Sequence, residues 1–138
     1  MNVINEVGAM PTRNMREVHF EGASKISGEA MLEPRPGDGK PNLVTNAACF
    51  SCTIACGRIS TIDKGHFTVQ NKPQYWGASG GLEYEAAWAL GSDTGISDLD
   101  TLTYANFLCN EDGIDPISFG ATVAAAMEMF QDGAITTE

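Results

Sequence analysis

Three of the four cysteines in this 138-residue chain stand together as Cys49-x2-Cys52-x3-Cys56. No other feature limits the fold as much. The spacing brings three thiols to one side of a tight loop or first helical turn, where one metal centre can be reached. Thiolates bind zinc and iron–sulfur clusters. A structural zinc site takes four ligands, commonly as two pairs, and no second pair follows here. His66 and Cys109 are the residues available to complete a zinc site. Cys109 lies in the apolar run Phe107-Leu-Cys, where a cysteine reads as a buried packing residue. Reduced, packed thiols are the plain alternative for the triplet. The clustering favours a metal or cluster, iron–sulfur ahead of zinc. Four cysteines at these spacings do not make a secreted disulfide scaffold. They point to a reducing compartment, so a cytoplasmic location is expected.

The charge balance narrows the partners. Net charge is −10, with 8 basic residues and no Lys/Arg cluster, which argues against nucleic acid and anionic membrane. A hydrophobic content of 43% is enough for a core, and the length suits a single domain over residues 1–138. No apolar run approaches a membrane span, and no signal segment opens the chain. Residues 1–7 have the apolar spacing of a helix end. Residues 132–138 read as the start of a further element. A portion of a larger protein is therefore expected.

Along the chain, Gly8 reads as a helix stop and residues 9–14 as a turn and extended strip, with Pro11 disfavouring helix before it. Residues 24–32 make a short helical candidate capped by Ser24 and weakened by Gly28. Residues 34–41, rich in proline and glycine, form a loop. Residues 58–62 and 66–70 alternate apolar and polar around Asp63-Lys-Gly65, which predicts a hairpin placing His66 on an exposed strand. Residues 71–81 form another loop. Three helices follow. The first spans about residues 82–90 and stops at Gly91. The second is capped by Ser97 or Asp98, carries Leu99, Leu102, Phe107 and Leu108, and runs to Cys109 or Asn110. The third spans about residues 117–131 behind Pro116, with Val123, Met127 and Phe130 at helical spacing and Gly133 closing it. The fold expected is mainly α, a helical domain with one small β-hairpin.

Three blocks in order carry a resemblance: Cys49-x2-Cys52-x3-Cys56-Gly-Arg58; Glu83-Tyr-Glu-Ala-Ala-Trp-Ala-Leu-Gly-Ser92; and Ala105-Asn-Phe-Leu-Cys-Asn-Glu-Asp-Gly-Ile-Asp115. Together they resemble the helical middle portion of the tungstopterin aldehyde ferredoxin oxidoreductases. Pro11-Thr-Arg-Asn14 and Ile26-Ser-Gly-Glu29 are similar to the segment before the cysteines in that family. The resemblance covers nearly the whole chain.

The resemblance implies a [4Fe–4S] cluster beside a tungsten, or molybdenum, bis-pterin. It implies oxidation of small aldehydes to carboxylic acids, with electrons passed to ferredoxin. Cys49, Cys52 and Cys56 become three cluster ligands, the fourth lying in a later part of the family outside this chain, as does the N-terminal β-rich part. Glu85 matches the active-site acid near the metal. From the residues alone, Glu83 and Glu85 are exposed acids favoured by a helix start. Asn110, Gly113, Ile114 and Asp115 match the pterin-contacting D-x-x-G-L-D motif, with Asn110 replacing its first acid. From the residues alone, this segment is a glycine helix stop followed by Asp-Pro. Arg58 and Ser51, close to the ligands, are expected to tune the cluster potential. The chain has no E-x-x-H, so an interface metal known in some family members is not carried over, and a homodimer stays an open partner. From another class, the alternative is a non-catalytic zinc-binding or structural module.

Overall fold

A computed structural model describes residues 1–136. Residues 137 and 138, the end of the expected further element, lie outside the described residues. Among the described residues there are four α-helices and a small antiparallel sheet. The helices are α1 (Asn2–Glu6), α2 (Tyr84–Leu90), α3 (Leu99–Asp112) and α4 (Pro116–Gln131). The strands are β1 (Leu43–Ala47), β2 (Gly57–Ser60) and β3 (Ser79–Gly80), in the order β1-β2-β3. The chain is thus mainly helical with a small sheet.

The later helices form where local signals place them. The Asp98 side chain accepts from the Thr101 amide at 2.7 Å and starts α3. Gly113, at φ 67°, ends it in the left-handed conformation that glycine adopts without a Cβ penalty. Asp115 caps α4, and Pro116 occupies its first turn, where a missing N–H costs nothing. The helix α3 runs two residues past its expected end. Its Leu102 and Phe107 are buried.

Two expectations fail. Residues 24–32 do not form one helix. Two 3₁₀ turns, Ala23–Ile26 and Ala30–Leu32, are separated by Ser27 in extended backbone, and Gly22 rather than Ser24 precedes the first. The Ser27 hydroxyl accepts the Ala30 amide at 3.2 Å, competing with helix continuation.

The hairpin lies elsewhere too. Residues 66–70 coil instead of pairing, because the His66 carbonyl accepts the amides of both Val69 and Gln70. The turn buries Val69 with Ile62 and Phe107 in a second small core, against Tyr75 and Tyr104. The partner of β2 is the upstream strand β1, in register from Leu43↔Ser60 to Ala47↔Gly57 with an irregularity between Leu43 and Thr45. The segment joining these strands carries the three clustered cysteines. Strand β3 adds to the other edge through Ile59↔Gly80.

The main core joins Met10, Phe20, Ile26, Met31, Leu82 and Leu102 with the buried face of α2. Fully burying a side chain of this size contributes about 1.5–3 kcal/mol. Helix α4 closes on α2 through Gly120 and Ala124, the buried residues of its length. Its Phe119, Met127 and Phe130 are 42%, 39% and 52% exposed. The apolar spacing in α4 therefore faces outward. Among the described residues, no helix is long and apolar enough to cross a membrane.

Candidate functional site

The hairpin tip is short and thinly held. The Cys52 amide donates to the Cys49 carbonyl at 3.0 Å, a local turn. Ser51 and Ala55 take positive φ, 60° and 51°, next to Cys52 and Cys56. Such values are uncommon outside glycine and bend the tip sharply. All three thiols are free, Cys49 and Cys56 exposed and Cys52 half-buried. Phe50 is 100% exposed and Ile54 78%, so the tip presents apolar side chains beside its thiols.

These donors do not encircle one ion. Among the described residues, no group of three or more His, Cys, Asp or Glu is arranged to hold a metal ion. The proposed zinc partners are also engaged elsewhere. His66 is not on a strand. Its Nδ1 lies 2.8 Å from the Thr68 hydroxyl and its Nε2 3.2 Å from Asp98, and its side chain is only 15% exposed. Cys109 is buried in α3, and burial, reinforced by the nearby Asp112 and Asp115, pushes its thiol pKa up. It stays a neutral thiol, as its apolar neighbours suggested. A cluster makes a different demand, since each of its irons takes a separate thiolate and the sulfurs stand apart. Three free thiols around one bent, accessible tip fit that demand.

The other two blocks reach the base of this hairpin. Arg58 on β2 does not turn to the thiols. Its Nη1 donates to the Leu82 carbonyl at 3.0 Å and touches the Met31 sulfur, while its own carbonyl accepts the Gly81 amide at 2.7 Å. The cysteine strand is thereby stitched to the segment entering α2. Glu85 lies in the first turn of α2, exposed, with Oε2 accepting the Trp88 indole N–H. A cleft of about 450 Å³ opens between Asn46 and Arg58 of the hairpin and Tyr84 and Ala87 of α2. A larger cleft, about 540 Å³, is lined by Arg13, Asn14, Asp93 and Glu128 and contains none of the expected site residues.

Asn110 comes to the same sheet from the other side. A Cβ on Gly80 of β3 would lie 3.1 Å from its Nδ2. Past Asn110 the chain turns through Gly113, the Ile114 amide donates to the Cys109 carbonyl at 2.8 Å, and Asp115 accepts both the amide and the hydroxyl of Ser118. Those bonds hold the Asp115 carboxyl below its usual range. Locally this is the glycine stop and Asp-Pro start read from the residues. The turn also leaves Asn110, Ile114 and Asp115 exposed, and an amide and a carboxylate are acceptors that suit pterin N–H groups.

The sequence reading missed a polar seam along α3. Asp100, Thr103 and Asn106, all buried, face the hairpin and β3, and Asn110 extends their line. Their spacing of three, three and four is the detectable signal, since it follows the helical period as an apolar stripe does.

The chain is a helical scaffold that presents three free thiols on a hairpin tip, with a carboxylate at the start of α2 and an exposed turn after α3. The chain belongs to the aldehyde ferredoxin oxidoreductase family, whose model for "Aldehyde ferredoxin oxidoreductase, domains 2 & 3" matches residues 1–138. It is 41% identical over 138 residues to the tungsten-containing aldehyde ferredoxin oxidoreductase of Thermococcus kodakarensis, covering 100% of this chain and 20% of that protein. Identity to the enzyme of the same description from Pyrococcus furiosus is 39% over 138 residues, again 20% of that protein. A more distant relative is the WOR-like subunit of an aliphatic sulfonate oxidoreductase of Pyrococcus furiosus, 29% identical over 91 residues, 66% of this chain and 14% of that protein. The chain spans a fifth of the length of its nearer relatives named here.

Proposed function

We propose that this chain is the cluster- and pterin-facing part of a cytoplasmic oxidoreductase that converts small aldehydes to carboxylic acids. The observation that carries the reading is the bent hairpin tip with Cys49, Cys52 and Cys56 free upon it. The relatives' printed description, tungsten-containing aldehyde ferredoxin oxidoreductase, supports it.

Cys49, Cys52 and Cys56 would hold a [4Fe–4S] cluster as thiolates, with a fourth ligand from outside the chain. Asn110, Gly113, Ile114 and Asp115 would contact the pterin. When bound, the tungsten (or molybdenum) bis-pterin supplies the two-electron oxidation of aldehyde plus water to carboxylic acid and two protons. Glu85 accepts a proton as water or hydrated aldehyde is activated. Its hydrogen bond from Trp88 holds the carboxylate at one position on the helix start. Phe50 and Ile54 exclude water from the thiolates once other parts of the enzyme cover the tip. Ferredoxin is the electron acceptor, receiving electrons singly.

Anaerobic purification of the full-length protein tests this reading. A brown protein with acid-labile sulfide, tungsten or molybdenum, and aldehyde-dependent ferredoxin reduction is expected. A colourless protein holding one zinc would return the function to a structural zinc module.

A further inference from the structure

The hairpin tip has little of its own to fix where it points, so its base decides the matter. That base is an unusual construction. Asn42, just before β1, and Thr61, just after β2, are joined by the Thr61 amide donating to the Asn42 carbonyl at 2.9 Å. The Asn42 side-chain amide, fully buried, donates to the Thr61 carbonyl at 3.1 Å and to the Thr103 hydroxyl of α3 at 3.0 Å. Arg35 Nη1 donates to the same Thr61 carbonyl at 2.6 Å and to Asp100 Oδ1 at 3.0 Å. The other oxygen of Asp100 accepts the Asp63 amide at 3.3 Å. One turn further along α3, Asn106 donates to the Gly80 carbonyl of β3 at 3.0 Å.

Both ends of the cysteine hairpin and the added third strand are thus tied by directional bonds to one face of α3. The same helix ends in the Asn110–Asp115 turn. Apolar packing would hold the hairpin without fixing its register, since it is non-directional. Arg35 is fixed by a bidentate pair to Asp38 through Nε and Nη2, which leaves Nη1 aimed at the Thr61 carbonyl and Asp100 and specifies one arrangement. Arg35 and Asp100 are each only 10% exposed, so solvent screens the pair weakly. Buried ion pairs often add little net stability, and their best-attested use is to select one arrangement.

We propose that Arg35, Asp100 and Asn42 are positioning residues that set the cysteine tip at a fixed separation from the Asn110–Asp115 turn, and so the cluster from the pterin metal. This rests on the function proposed above. It adds that the seam on α3 governs coupling between the two centres.

The test is electron paramagnetic resonance on the full-length enzyme, reading the magnetic interaction between the reduced cluster and the paramagnetic tungsten. That interaction falls steeply with distance. Asp100→Ala and Arg35→Met are expected to shift the splitting while iron, sulfide and tungsten contents stay at wild-type values. Asp100→Asn, which keeps one acceptor for Arg35, should give a smaller shift. A wild-type splitting in Asp100→Ala and Arg35→Met overturns the inference. So does loss of the cluster with a fall in melting temperature in all three variants, since that is a merely structural role. A wild-type enzyme without acid-labile sulfide sinks the underlying function as well, and does so before any variant is made.

Discussion

Gly120 of α4 lies directly against the main chain of Ala89 in α2: a Cβ built on it would fall 2.4 Å from the Ala89 carbonyl oxygen. The obstacle is backbone, which cannot swing aside like a long side chain. Gly120→Ala must therefore push α4 away from α2. The expected cost is about 1–3 kcal/mol, the range for overpacking a fitted interior. Denaturant unfolding of the variant checks it, and an unchanged midpoint would contradict the close approach.

The three clustered cysteines and the fourth should separate cleanly. Serine at Cys49, Cys52 or Cys56 is expected to abolish most bound iron and acid-labile sulfide. Cys109→Ala should keep the full complement, because Cys109 is buried within α3 and its thiol is held neutral. Iron and sulfide analysis of anaerobically prepared variants decides between these outcomes.

Glu85→Gln should lower kcat by roughly 10²–10⁴-fold with little change in KM, the range for losing a general base. The glutamine carbonyl still accepts the Trp88 N–H, so the helix start keeps its bond. Steady-state kinetics with melting temperature as a control would detect a purely structural Glu85 as near-normal kcat.

The observed capping role of Asp115 and its proposed pterin contact can be pulled apart. As the cap of α4 it accepts from the Ser118 amide and hydroxyl, which lower its pKa. Its contribution to stability is present above the ordinary carboxyl range and is lost as pH falls through the lowered folded value. Asp115→Ala should reduce both melting temperature and pterin-metal content. Asp115→Ser can still cap the helix, so it should restore the melting temperature alone. Recovery of the metal in the serine variant would remove Asp115 from the pterin site.

Asp93 should show the opposite pH behaviour. It is buried at 1% exposure, and burial raises its pKa against the opposing amides of Met15 and Asn14. Its stabilising contribution is complete below the ordinary value of about 3.9, and is lost as pH rises through the raised folded value. Asp93→Asn should flatten that slope in melting temperature measured across acid to neutral pH. An identical slope in both proteins would exclude Asp93 as its source.

Much of the helical scaffold was legible because its signals are local. Asp98, Gly113, Asp115 and Pro116 start or stop helices through bonds within a turn of themselves. The hairpin was misplaced because strand pairing is not local. Residues 66–70 alternate correctly for a strand, yet their own carbonyl bonds and the burial of Val69 make them a coil. The true partner, β1, has Val44 56% exposed and three consecutive exposed residues, so it shows little alternation to read. The position of the Arg58 guanidinium was illegible for a related reason. Its closeness in sequence to Cys56 says nothing about the Leu82 carbonyl that captures its guanidinium.

The spacing of Cys49, Cys52 and Cys56 by itself determined that three thiols lie within one short stretch of chain. Spacing is a covalent property, and no distant contact can change it. Only the tertiary structure decided that this stretch is a hairpin tip, that its base hangs on Asp100 and Thr103, and that the same helix ends in the Asn110–Asp115 turn. Those relationships join residues up to 65 positions apart, as Arg35 to Asp100 does. They come from which buried donors find acceptors once the chain has collapsed, because a buried polar group left without a partner costs more than a bond gains.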